Sequence, residues 1–404
     1  MDSNAEFGGT EARARLESSL LKKVDARMSI LILIYILNYI DRNSAAAARL
    51  RGFEKDLDLN DFQFATVLSI LYVGYILMQI PSNMCLNYIG KPSLYLPGCM
   101  AIWGVISIST GFTTNYYGAL WTRFFLGFVE AAFFPGALFL ISKWYKRNEL
   151  SQRIAFLSCG SLISNAFGSL LASGILSGME GKSGYAAWSR WLFFIEGAVT
   201  VVVAIFAVFI LPDFPETSRV WLTPSEKALA IRRMIEDLGP ASTEEGDEQN
   251  HFAGLLMTLG DGKVWVLALA LTSIVASLSF NSYFPTLCAT LGYSPTLTLL
   301  LCAPPWIFAT VVALLVSRHS DSTNERCRHI VFPLCFGIFG FVLAMSTMNI
   351  AVRYISLFLM AQSYAGFICF LAWASGSVSQ PPVKRASALA LINCVSQFGN
   401  IAGS

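Results

Sequence analysis

Long apolar runs dominate the chain and short polar ones part them. They fall at roughly 28–48, 62–86, 92–112, 116–141, 153–178, 190–211, 264–288, 296–317, 330–348, 353–376 and 386–404, each near the ~20 residues a helix needs to cross a bilayer. Inside lipid the backbone must satisfy its own hydrogen bonds, so such runs fold as helices. Barrel strands would be about ten residues long with alternating polarity, and the runs show no such alternation. The pattern predicts an all-α membrane protein of about eleven spans.

One long polar stretch interrupts the series. Pro212-Asp213-Phe214-Pro215 stops the sixth span. Thr223-Pro224-Ser225-Glu226 then reads as a helix start, with Thr223 as cap, Pro224 at the first position and Glu226 closing a capping box. The predicted helix runs to Leu238. The acidic stretch from Pro240 to Glu248 reads as disordered. The chain divides into a cytoplasmic tail (1–27), a six-helix N-terminal half (28–211), a cytoplasmic linker (212–263) and a C-terminal half (264–404) that stops inside span eleven.

Composition narrows the function. Of 404 residues 55% are hydrophobic and only 13% charged, about half the usual charged share. A net charge of +2 excludes a nucleic-acid partner held by bulk electrostatics. The cysteines form no CxxC and no Cys/His cluster, so no metal site, cofactor or disulfide framework is expected. Residues 1–27 are polar and the first apolar run is long enough to span, so it reads as a retained anchor. Lys and Arg favour one side: Lys22, Lys23, Arg27, Lys143, Lys146, Arg147, Arg318, Arg326, Arg328 and others fall on the side of the N-terminus. The positive-inside rule makes that side cytoplasmic.

Charged groups within the spans are few: Asp41 and Arg42, Arg123 and Glu130, and Glu196. Each costs about 2.5–3.5 kcal/mol at a helix centre unless it pairs or works. A rise of about 1.5 Å per residue puts Arg42 and Arg123 at similar depth, with Glu130 nearer the midplane. Arg123 and Glu130 are two turns apart and share a side of their helix, with Gly127 between them. Asn38 and Tyr35 extend a polar stripe below Arg42. Two such stripes predict one shared cavity. Asp41 and Arg42 point about 100° apart, so one must turn to a neighbouring helix, and the expected pairing is Asp41 with Arg123. Glu196 reads as structural.

These groups permit a specific chemistry. A guanidinium in a cavity is permanently charged and its fork matches a carboxylate. A buried acid balanced between desolvation and a nearby arginine exchanges a proton. Protonating it frees the arginine for a substrate anion. The three histidines (His251, His319, His329) all fall in loops. Tyr75, Asn281, Tyr283, Trp373 and Asn393 are further candidates to line the pocket. At the corners after spans two and eight, Asn87, Gly90 and Lys91 match Asp321 and Arg326 as a weak repeat between the halves. Repeated halves about a midplane site are typical of secondary transporters.

Taken in order, several segments resemble the major facilitator superfamily. They are Tyr39-Ile40-Asp41-Arg42-Asn43, Tyr75-x5-Pro81-Ser82-Asn83, Arg123 to Ala131 through Pro135-Gly136, Trp144-Tyr145-Lys146-Arg147-Asn148-Glu149-Leu150 with Arg153, Arg190 to Gly197, and Leu211-Pro212-Asp213-x-Pro215. The set is similar to the anion:cation symporters, in the fungal allantoate-permease-like branch with its allantoate, nicotinate, pantothenate and biotin carriers. That resemblance implies a two-half helical bundle of twelve spans. It further implies proton-coupled symport of a small organic anion by alternating access, in a carrier of the plasma membrane or an organelle; the expectation for this chain is a monomer at the plasma membrane. By the same resemblance Arg42 engages the substrate carboxylate, Asp41 and Glu130 couple protons, and Arg123 organises them. Asn87, Gly90, Lys91, Asp321 and Arg326 would gate, though Asn83 and Asn87 replace the Gly and Asp of the usual loop motif. A non-transporting nutrient receptor or a truncated inactive carrier are the alternatives; nothing points to an enzyme.

Overall fold

The computed structural model describes residues 7–179, 190–218, 221–238, 256–323, 325–377 and 382–403. The stretch 240–248, expected to be disordered, lies outside them. The described residues form helices and no strands.

The N-terminal half holds α1 (Thr10–Arg49), a short α2 (Phe53–Asp56), α3 (Asp61–Ile89), α4 (Pro92–Thr110), α5 (Tyr116–Glu130), α6 (Phe133–Trp144), α7 (Arg147–Gly178) and α8 (Leu192–Ile210). The linker supplies α9 (Pro224–Leu238). The C-terminal half holds α10 (Gly262–Leu278), a 3-10 turn (Ser279–Tyr283), α11 (Phe284–Ala289), α12 (Pro295–Thr323), α13 (Cys327–Ser346), α14 (Ile350–Ala361), α15 (Tyr364–Ser377) and α16 (Pro382–Ala402).

Nine helical stretches among the described residues are long and apolar enough to cross a membrane. α1 and α16 are not among them, because Asp41, Arg42 and Asn43 in one and Lys384, Arg385, Asn393 and Asn400 in the other dilute their apolar runs. Two runs expected to be continuous are broken at proline. Pro135 removes the bond back to residue 131, where α5 gives way to α6. Pro285 removes the bond back to Asn281, inside the 3-10 turn. The run at 353–376 breaks at Gln362-Ser363, and the Gln362 amide donates to the Pro333 carbonyl (3.1 Å).

Helix pairing builds each half. α4 lies along α8, α3 along α5 and α1 on α7; α10 lies along α16 and α13 on α14. Small residues permit the closest approaches. A Cβ on Gly127 would meet the Leu71 carbonyl at 1.9 Å, and one on Gly74 would meet the Phe124 carbonyl at 2.3 Å, so α3 and α5 touch backbone to backbone. Phe206, Phe209, Val266, Ile338 and Val342 stay exposed on the periphery, where a bilayer would cover them.

The segment expected to be a tail is helical from Thr10, and α9 docks on it. Arg13 pairs with Glu236, Lys23 with Glu226 (2.7 Å), and the buried Arg233 with Glu17 (2.7 Å) and Glu149 (2.5 Å). The capping box forms as read: the Thr223 amide donates to Glu226 (3.0 Å), and the Glu226 amide to the Thr223 hydroxyl (3.3 Å). This marks a linker end of the molecule. The opposite, far end carries Arg49, Asp61 and Pro295.

Candidate functional site

The halves face each other across α7 and α12 and across α3 and α16. Between them lies a central hollow of about 900 Å³. Tyr35, Asn38, Arg42, Tyr75, Asn281 and Asn393 line it, six of the residues singled out from sequence. The 3-10 turn sets Asn281 and Ser282 at its wall. Tyr283 and Trp373 do not line it. Tyr283 sits one residue past the part of the turn that does, in the electrostatic reach of Arg49 and Asp61 at the far end. Trp373 is 41% exposed and packs edge-on to Phe370. A helical period read without its neighbours cannot tell a cavity face from a lipid face.

Arg42 is the centre of the hollow's charge. Its Nε and Nη2 both donate to one oxygen of Glu130, at 3.1 and 3.0 Å. The Arg42 side chain is 9% exposed and that of Glu130 fully buried behind it. The second Glu130 oxygen has no hydrogen-bond partner among the described residues. Arg42 Nη2 also reaches the Asn38 amide oxygen (3.4 Å). The rings of Tyr39, Tyr75 and Tyr72 lie 5.0, 5.1 and 5.8 Å from the guanidinium carbon, which adds cation–π attraction. Tyr72, on the same span as Tyr75, is legible in the sequence as a polar aromatic able to complete the pocket, and Tyr39 falls one turn from both Tyr35 and Arg42. Gln397, one turn past Asn393, and Asn400 of α16 also line the hollow.

Asp41 turns away from the hollow, as the angle between neighbours requires. The expected charge pair with Arg123 does not form. The Asp41 carboxylate instead accepts from Ser107 (3.0 Å) and Thr200 (2.9 Å), on α4 and α8. Arg123 donates to the backbone carbonyls of Asp41 (3.1 Å) and Arg42 (3.2 Å) and to the Ser44 hydroxyl (3.3 Å). The carbonyls lie on Arg123's side of α1 while the Asp41 side chain leaves on the other. Arg123 thereby fixes the turn of α1 that carries Arg42.

The residues expected to gate sit at the linker end. Gly90 takes a left-handed conformation (φ 66°) that ends α3, and Lys91 is exposed before α4. The Asn87 side chain lies outside the described set. Asp321 pairs with Arg326 (2.6 Å), and Arg326 also donates to Ser320 (3.1 Å). These contacts stay within the C-terminal half. Among the described residues, hydrogen bonds tie the halves at the far end, where Arg51 donates to the Thr296 hydroxyl (2.7 Å) and Ser173 to the Thr296 carbonyl (3.0 Å); the Cys394 thiol also reaches the Ile76 carbonyl (4.0 Å). The molecule is closed at the far end.

The known proteins it resembles agree on the architecture. The Major Facilitator Superfamily model matches residues 31–404. MFS-type transporter cnsO of Penicillium expansum is 30% identical over 393 residues, covering 94% of this chain and 74% of its own length. A putative tartrate transporter of Agrobacterium vitis is 29% identical, covering 96% of this chain and 87% of its own. By fold the chain is similar to a bacterial homologue of the human lysosomal transporter Spinster in its inward-facing, unoccupied conformation. That likeness has a TM-score of 0.72 at 20% identity, over 94% of this chain and 81% of the other. A multi-pass helical bundle of this kind is a transporter and not an enzyme, and the chain belongs to the Major Facilitator Superfamily.

Proposed function

We propose that the chain carries a small organic anion together with a proton by alternating access. The observation that carries this reading is the Arg42–Glu130 pair, with the cation at the wall of the hollow and the acid sealed behind it. A bound carboxylate and Glu130 compete for the same fork. Protonating Glu130 removes its claim, so anion and proton load together. The side-chain amides of Asn38, Asn281 and Asn393 then contact the body of the substrate. Vitamin, ureide and hydroxy-acid monocarboxylates fit this arrangement, in keeping with an allantoate-permease-like symporter. In this reading α1 and α16 also span, as the first and eleventh spans, which brings the nine stretches to eleven; the linker end faces the cytoplasm, and the protein works as a monomer in the plasma membrane. The far-end closure makes the structure inward-facing.

The test is uptake of radiolabelled tartrate, nicotinate, allantoate and pantothenate into proteoliposomes holding the full chain, with and without a pH gradient. At least one anion should accumulate against its gradient only when the outside is acidic. Glu130→Gln should abolish that accumulation and keep anion exchange. Unchanged uphill uptake in Glu130→Gln sinks the coupling role.

A further inference from the structure

On the far side of the central hollow lies a second chamber of about 470 Å³. Asn43 and Asn281 line both spaces, so they stand as a partition, braced where the Asn43 amide donates to Asn165 (2.7 Å). The chamber is bounded by α1, α7, α11 and α12, and one acid lines it: Glu196 of α8. Glu196 is 3% exposed. Its Oε2 has no hydrogen-bond partner among the described residues, and neither has the Asn165 Nδ2. The reading of Glu196 as merely structural leaves that orphaned oxygen unexplained.

A count of charge sharpens the point. The buried centre of this half holds two permanent cations, Arg42 and Arg123, and three acids, Asp41, Glu130 and Glu196. Glu130 is matched by the Arg42 fork. Asp41 receives two hydroxyl hydrogen bonds and lies beside Arg123. Glu196 is left over. The charged groups that act on it are Asp41 of α1 and Arg123 of α5; the spanning parts of α4 and α7, which also pack on α8, carry no charge. An ionised acid without its own cation is costly in a low-dielectric core, so neutrality places one proton among the three. Two sets of unmatched atoms complete the picture. Arg123 Nε lacks an acceptor, and both Glu196 and Glu130 keep one oxygen without a donor.

We propose that Glu196 is a second proton-binding residue, which holds in this state the proton that Glu130 needs to release Arg42. The proton leaves the Glu196 carboxyl and arrives on Glu130. Glu196 becomes a carboxylate beside Arg123, whose Nε is free to take it, and neutral Glu130 lets go of the Arg42 fork. The number of charges in the core does not change. The far-side chamber is the route by which Glu196 reloads when that end opens. This inference rests on the coupled-carrier reading above, but its first test does not depend on transport.

Infrared titration of the full chain in liposomes reads buried protonated carboxyls directly through their C=O stretch. At neutral pH the wild type should show such a band, and Glu196→Gln should lose it. A band that survives Glu196→Gln, or is absent from the wild type, overturns the proposal. If Glu196→Gln does not fold, isotope-labelled glutamate in the wild type must shift the band; a band that moves only with labelled aspartate overturns it equally. In proteoliposomes, with whichever anion of the panel the wild type accumulates, Glu196→Gln should lose at least tenfold in pH-driven accumulation while exchange of the labelled anion continues. Wild-type accumulation retained in Glu196→Gln sinks Glu196 alone. No accumulation in the wild type sinks the carrier reading and leaves the infrared result to decide where the proton sits.

Discussion

At the scale of single residues, the fork of Arg42 is what a point charge cannot replace. Its Nε and Nη2 converge on one oxygen, with tyrosine rings around the plane. Lysine keeps the charge and loses the second donor and the flat face. Arg42→Lys should therefore raise the KM for the carried anion by about tenfold or more, a loss of about 1.4 kcal/mol or more in binding, seen in initial uptake rates. An unchanged KM means that the guanidinium does not meet the substrate. This residue was legible in the sequence because a charge inside an apolar run has to be explained. The partner of Arg123 was not legible. Its choice of backbone carbonyls over the Asp41 carboxylate depends on which face of α1 meets α5, and Ser107 and Thr200, which claim that carboxylate, lie on helices far away in sequence.

Helices obey rules of packing and docking that residues alone do not express. The contact of α3 with α5 tolerates no side chain at Gly127, where a Cβ would land 1.9 Å from the Leu71 carbonyl. Gly127→Ala should cost about 1–3 kcal/mol through forced separation of the two helices, measured as a lower unfolding temperature in detergent. A neutral result would mean that the pair is looser than drawn. The sequence marked Gly127 as a space between Arg123 and Glu130; it could not show that the space belongs to α3. The cap of α9 was readable because it is local, four residues long. The dock of α9 on α1 was not, because Arg13 and Glu236 lie 223 residues apart. Arg233→Ala should release this dock, costing up to about 3 kcal/mol given that both glutamates keep some water contact. Faster hydrogen exchange across Pro224–Leu238 is the readout. The same ion pairs make the dock sensitive to acid. Hydrogen bonding from Lys146 and the nearby Arg233 outweigh desolvation and hold the Glu17 carboxyl below its ordinary 4.5; Lys23 does so for Glu226, and Arg13 for Glu236. Lowered values mean that the stabilisation is present above 4.5 and is lost as pH falls through the lowered values. Exchange in α9 should be slow at neutral pH and quicken only below pH 4.5. A transition near neutrality would refer the dock to other groups.

For the whole molecule, closure at the far end converges on one residue. Arg51, in the turn between α1 and α2, and Ser173 of α7 both reach Thr296. In the proposed cycle, opening that end must break these bonds to Thr296 so that the halves can part and rejoin. Cysteines at 51 and 296 bridged by a reducible bifunctional thiol reagent, long enough to replace the reach of the arginine side chain, should stop anion exchange, and a thiol reductant should restore it. Exchange that continues in the cross-linked protein would show that this end does not open during transport. The all-helical, membrane-spanning character was legible from hydropathy alone, since that reflects the bilayer rather than any particular contact. How the halves meet was not, because the meeting faces are built from asparagine, serine and tyrosine that on any one helix look like ordinary packing.

The docking of α9 has one last effect. With this helix fastened to the first half, the chain left to bridge to the second, from Leu238 to Leu256, could stretch to about 60 Å at most. Cutting it between those points should leave two pieces that still find each other by their faces alone.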